Sequence, residues 1–180
     1  MVEEMISMQP KADANPNSSG HSLHAGKDRA AGELQLVGFH VGEEEFALDI
    51  LRVQEIIRLQ QLTRVPNSHE SMDGVMNLRG KIIPVVALRK CFGLEQAPPD
   101  KQNRIVVVEI RGAVLGLIVD SVSEVLRIPA GTVEPPPHLG KVRQEYVSGV
   151  GKIDDRLLIL LDLDRLMAND ELNGVSPVQA

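Results

Sequence analysis

Aromatic residues are nearly missing from this 180-residue chain, which has no tryptophan, one tyrosine and three phenylalanines. Phe39, Phe46, Phe92 and Tyr146 are too few to favour a base-stacking platform, a sugar-stacking cleft or an aromatic cage. A lone cysteine, Cys91, excludes an internal disulfide framework and fits a reducing compartment. No apolar run reaches the ~18 residues of a spanning helix. The opening MVEEMISMQP carries acids where a secretory signal needs Lys or Arg, and no apolar stretch follows it. Positive charge is in deficit: 19 Lys and Arg stand against 25 Asp and Glu, a net charge of -6. The whole chain therefore offers no attraction to phosphate backbones or anionic membranes. What is present, 43% hydrophobic and 24% charged residues, is ordinary globular composition, and a cytoplasmic location is expected.

Residues 1–33 are rich in Asn, Ser, Gly, His and Ala without apolar periodicity, so they predict a disordered N-terminal tail. Residues 171–180 have the same character and predict a flexible C-terminal tail. Between them, 34–170 shows short apolar runs punctuated by Gly, Pro, Asn and Asp. Val37, Phe39 and Val41, then Phe46, Leu48 and Ile50, alternate on either side of a Gly-Glu turn and predict a hairpin. RIVVVEI (104–110) and AVLGLIV (113–119) predict a second hairpin, and 146–153 with 156–161 a third. In KIIPVVAL (81–88), Pro84 suggests an edge strand or a bulge. Helical periodicity is confined to 88–92 and 162–172. The class is mainly β with short helices.

The sequence also repeats itself. At an offset of 69, residues 36–58 fall on 105–127 with Val37/Val106, Leu48/Leu117, Val53/Val122, Glu55/Glu124 and Arg58/Arg127 identical. At an offset of 75, residues 74–92 fall on 149–167 with Gly74/Gly149, Val75/Val150 and Leu88/Leu163 identical. Two blocks in the same order point to an internal duplication with halves of about 34–103 and 104–170. Each half holds about five strands, enough for a small barrel that hides its own edges. The copies differ at one turn, where Asn77-Leu78-Arg79-Gly80 stands opposite Lys152-Ile153-Asp154-Asp155. Both copies keep the glutamate, but only the first carries Arg at the turn, so a Glu55–Arg79 pair is expected in that copy alone.

Catalytic and cofactor signatures do not assemble. There is no P-loop and no G-x-S-x-G elbow. Gly149-Val150-Gly151 is followed by Asp154 where a dinucleotide fingerprint needs glycine. Asp120-Ser121-Val122 stands opposite Leu51-Arg52-Val53, which denies a two-aspartate dyad its second member. His21, His24, His40, His69 and His138 are scattered without carboxylate or thiolate company, so no metal site is expected. Asp162 and Asp164 fit a helix start better than a cation site. Cys91 aligns with the apolar Leu166 and predicts a packed thiol rather than a nucleophile. Arg79, Lys81, Arg89 and Lys90 form a local basic cluster, read as a solvated face or a protein contact. No enzyme activity and no cofactor are expected. An adaptor is the favoured class, and a small-barrel nucleic-acid-binding protein is the alternative.

The strings ALDILRVQEI (47–56), Val65-Pro66, GVMNLRGKIIPVVALRKCFG (74–93), GLIVDSVSEVL (116–126) and YVSGVGKIDDRLLILLDLDRL (146–166) resemble the CheW family of bacterial chemotaxis coupling proteins. The resemblance covers about 34–170, and N-x-R-G followed by I-I-P-V-x-x-L is its most specific part. It implies two five-stranded SH3-like barrels side by side and a non-enzymatic scaffold recruited to receptor arrays at the inner membrane, without inserting into it. It further implies two partners, the regulatory domain of the histidine kinase CheA and the cytoplasmic tip of chemoreceptors. Carried over motif by motif, the protein-binding candidates are Val53, Glu55, Asn77, Arg79 and Gly80.

Overall fold

Alternating apolar residues and two-residue turns give eleven strands, and the chain order of those strands differs from their order in space. The computed structural model describes residues 32–138 and 144–168. In the first half these are β1 (Glu33–Val41), β2 (Glu44–Asp49), β3 (Val53–Arg58), β4 (Met72–Leu78), β5 (Lys81–Ala87) and the short helix α1 (Leu88–Cys91). In the second half they are β6 (Arg104–Ile110), β7 (Ala113–Val119), β8 (Ser121–Pro129), β9 (Val133–Glu134), β10 (Val147–Ile153), β11 (Arg156–Leu161) and α2 (Leu163–Ala168). The three expected hairpins are β1–β2, β6–β7 and β10–β11, all antiparallel. The two expected tails lie outside the described residues, apart from Gly32 and Glu33 of the N-terminal one. There Glu33 already pairs with Pro129, and the Gly32 carbonyl accepts the Ala130 amide at 2.8 Å.

One sheet runs β8-β1-β2-β11-β10-β9 and the other β3-β6-β7-β5-β4. Each therefore takes its first hairpin from one half of the chain and its other long strands from the other half. The expectation that each half closes a barrel of its own is corrected here. The halves are exchanged, with β1–β2 completing the second half's barrel and β6–β7 completing the first's. The exchange is made at two crossovers, the 3-10 turn Ile50–Arg52 between β2 and β3, and Asp120 between β7 and β8.

Closure into SH3-like barrels is achieved the same way twice. After β8 the chain bends through a 3-10 turn, and β9 pairs with β10 at the far end of the sheet. After β3 the chain bends to Thr63, which bridges Val75 of β4. Two-sided burial explains the nearly continuous apolar run of β6. Ile105 and Val107 pack inside their own barrel with Met76, Ile83 and Val85. Val106 and Val108 face a larger central core that both sheets share. All four aromatic rings of the chain lie there in one row. Phe39–Phe46, Phe46–Phe92 and Phe92–Tyr146 have centroids 5.9, 4.9 and 6.4 Å apart, and every one of the four residues is buried.

Pro84 is not on an edge strand, because β5 pairs with both β4 and β7. Its parallel pairing with β7 begins at Val85, so the proline occupies the part of β5 that has β4 alone as neighbour. There its missing N–H leaves no bond unmade.

Candidate protein-docking interface

The Asn77–Gly80 turn is built from backbone upward. Leu78 and Lys81 are partners in register, so Arg79 and Gly80 form a two-residue hairpin turn. Turns of this length that match strand twist need positive φ at both central residues, and here the angles are 52° and 83°. Gly80 adopts this freely, whereas an arginine does so uncommonly. Asn77 Oδ1 accepts the Gly80 amide at 2.9 Å and holds the turn. Arg79 Nη2 then donates to Glu55 Oε2 at 3.0 Å, tying the turn to β3. The carboxylate is mostly covered while the guanidinium side chain is 79% exposed. One carboxylate uses at most two of the five guanidinium donors, so donors remain for a partner.

Glu55, Asn77, Arg79 and Gly80 are thus brought together as expected. Val53 is placed differently. It opens β3 half-buried, packed against the central core, while Gln54, Ile56 and Arg58 point outward. The outward apolar residues are Ile56, 40% exposed, and Ile82, 46% exposed. Neither was singled out in the sequence. The repeat held the signal, because their equivalents at offsets 69 and 75 are Val125 and Leu157, also apolar and exposed at 57% and 62%. Each barrel therefore presents the same pair of exposed apolar positions.

The second copy also forms a Glu–Arg pair, contrary to expectation. Glu124 Oε1 accepts from Arg156 Nη2 at 3.1 Å, and Arg156 also reaches the buried Glu45 at 3.5 Å. Arg156 opens β11 as the cross-strand partner of Ile153, so it reaches the glutamate from the strand without belonging to the Asp154-Asp155 turn. The two patches consequently differ in chemistry. In the first barrel the arginine sits on the turn and is open. In the second it is shared between two glutamates, Glu45 and Glu124, with Glu43 and Glu44 lining the adjoining groove.

The remaining candidates have structural partners. Asp162 Oδ1 accepts the Arg165 amide at 3.0 Å and caps α2. Cys91 is buried in the central core. In the basic cluster, Arg79, Arg89 and Lys90 are held by Glu55, Asp120 and Asp73. All four aromatic rings are buried, so none offers a stacking platform for bases. Among the described residues no group of three or more His, Cys, Asp or Glu could hold a metal ion, and no helix is long and apolar enough to cross a membrane.

The family model for the CheW-like domain matches residues 35–171. The chain belongs to the CheW family. It is 37% identical over 141 residues to the chemotaxis protein CheW of Klebsiella aerogenes, covering 78% of this chain and 85% of that one. It is 34% identical over 137 residues to CheW of Helicobacter pylori, covering 76% and 83%. The crystal structure of the scaffolding protein TtCheW from Thermoanaerobacter tengcongensis superposes with a TM-score of 0.72 at 38% identity, covering 78% of this chain and 91% of that one. Membership gives the chain a scaffold or adaptor role in chemotaxis.

Proposed function

We propose that the protein couples the cytoplasmic tip of methyl-accepting chemoreceptors to the histidine kinase CheA by binding the kinase's regulatory domain, acting in the cytoplasm and joining receptor arrays at the inner membrane. The observation that carries this reading is the Glu55–Arg79 pair, which holds an exposed guanidinium on the β4–β5 turn of the sheet that also carries the outward-facing Ile56 and Ile82. Apolar area with an oriented charged donor is the composition of a protein–protein hot spot. The other barrel carries the exposed pair Val125 and Leu157 beside an arginine shared by two glutamates, and two unlike patches suit a coupler, which must hold two partners at once. One barrel can dock on a partner of the same fold, while the crevice between barrels receives an amphipathic helix.

Co-sedimentation tests the proposal. Receptor-containing membranes, CheA and the protein should pellet together, and kinase output should exceed that of membranes and CheA alone. Ile82→Glu and Leu157→Glu, each on one patch, should reduce assembly through different partners. A protein that bound neither receptor nor kinase would refute the coupling.

A further inference from the structure

The two crossovers are each fastened by an ion cluster, and the clusters are related by the repeat but inverted in charge. At one, Asp120 accepts from Arg89 Nε and Nη2 at 2.8 and 2.7 Å and from the Gly42 amide at 2.8 Å. At the other, Asp164 accepts from Arg52 Nη2 at 3.0 Å and from Arg111 Nε at 3.1 Å. Arg89 and Asp164 are equivalent at offset 75, one in α1 and the other in α2. Gly42 and Arg111 are equivalent at offset 69, each in the turn of its hairpin. Asp120 and Arg52 lie at the equivalent crossovers, one residue apart in the alignment. Each cluster thus joins the same three places: a helix and a hairpin turn of one half of the chain, and the crossover of the other half.

A duplicated chain has two ways to form two barrels. In the observed one the hairpins are exchanged. In the alternative each half uses its own hairpin, with β3 paired to β1 and β8 to β6. That would put Arg52 at the crossover beside Arg89, and Asp120 beside Asp164. Between helix and crossover the observed exchange makes two Arg–Asp contacts, Arg89–Asp120 and Arg52–Asp164, whereas the unexchanged arrangement would make one Arg–Arg and one Asp–Asp contact. We infer that the inverted clusters are a charge code that selects the exchanged topology against the self-paired one. Attraction in the intended arrangement and repulsion in its competitor are both needed to specify one of two similar structures. Neither charge adds apolar packing, so the central core does not explain why the two signs are opposite.

The test separates selection from simple stabilisation. In the full chain, Arg89→Asp with Asp120→Arg keeps opposite charges at both observed contacts, yet also makes both unexchanged contacts attractive. Cysteines report the topology. Arg58 faces Arg104 across β3 and β6 in the observed register, whereas in the unexchanged form Arg58 would face Gln35. Gln35→Cys, Arg58→Cys and Arg104→Cys, with Cys91→Ala, are combined and trapped with a short bismaleimide after refolding, and products are identified by mass spectrometry. The 35–58 product should rise at least about tenfold in the Arg89→Asp/Asp120→Arg chain relative to its parent. Inverting the other cluster as well (Arg52→Asp, Asp164→Arg, Arg111→Glu) should return it to the parental yield, since like charges again oppose the unexchanged form. An unchanged or undetectable 35–58 product in the first variant, or no restoration in the second, would overturn the inference. Should the first variant not fold, Arg52→Asp with Asp164→Arg and Arg111→Glu in the otherwise parental chain, which equally makes both unexchanged contacts attractive, must show the same rise in 35–58 product; its absence would also overturn the inference.

Discussion

Arg89 and Asp120 meet fork to carboxylate, and this contact joins a helix of one barrel to the crossover that enters the other. Burial alone would raise the Asp120 carboxyl, but the Arg89 hydrogen bonds, the Gly42 amide and the nearby charges of Arg89 and His40 outweigh it and hold it below its ordinary value. A carboxylate lowered on folding contributes stability that is complete above the unfolded-state value, about 3.9, and is lost as the pH falls through the lower folded value. Asp120→Asn should therefore cost about 1–3 kcal/mol near neutrality. The deficit should be constant above about pH 5 and shrink below about pH 4. Urea midpoints of both proteins from pH 2.5 to 7 check this, and a deficit independent of pH would contradict it.

Gly74 and Gly149, identical in the repeat, share a local reason for being glycine. Each ends a bulge where the closing segment presses on the sheet. A Cβ on Gly74 would lie 2.5 Å from the Thr63 carbonyl oxygen, and one on Gly149 would lie 2.6 Å from Val133 Cγ1 and 2.9 Å from the Glu134 carbonyl oxygen. Alanine at either position should destabilise by about 1–3 kcal/mol. Gly74→Ala should be the worse of the two, since its neighbour is backbone and its φ is +152°. Denaturant titration decides the order.

The shared core predicts one unfolding transition for both barrels. Phe46 stacks between Phe39 and Phe92, and its removal opens a void touching both sheets. Phe46→Ala should lose about 3–5 kcal/mol while the calorimetric transition stays single. Two resolved transitions, one unaffected by the substitution, would show that the barrels are independent units.

Val53 and Ile56 separate packing from contact. Val53→Glu places a charge against the central core and should lower stability by about 1–3 kcal/mol. Ile56→Glu faces solvent and should leave the melting temperature unchanged while weakening partner binding. Circular dichroism melts beside a pull-down measure both.

Local features were legible in the sequence. Alternation placed the three hairpins, the repeat revealed the duplication, and the glutamate common to both copies pointed to the Glu55–Arg79 pair. The exchange of hairpins was not legible, because strand alternation reports which side is buried and carries no record of which strand lies alongside. The best clue was β6, whose Ile105–Val108 run is apolar on both faces and so needs two cores rather than one. The Glu124–Arg156 pair escaped because the turn was compared only with the turn. Arg156 is the first residue of β11, equivalent to Lys81 rather than to Arg79, and reaches the glutamate from the strand. Val53 was ambiguous for a related reason: a bulge between Val53 and Glu55 interrupts the register that would have assigned its side.

Kinase activation in reconstituted receptor membranes with Arg79→Ala, alongside Arg79→Lys, tests coupling through the paired turn most directly. The Glu55–Arg79 ion pair is exposed on the arginine side and contributes only about 0–1 kcal/mol, so both variants should melt close to the wild type. Arg79→Ala should lose at least about tenfold in assembly and activation, and lysine should restore only part, since it keeps the charge without the planar fork. A folded Arg79→Ala protein that assembled and activated the kinase like the wild type would contradict the account.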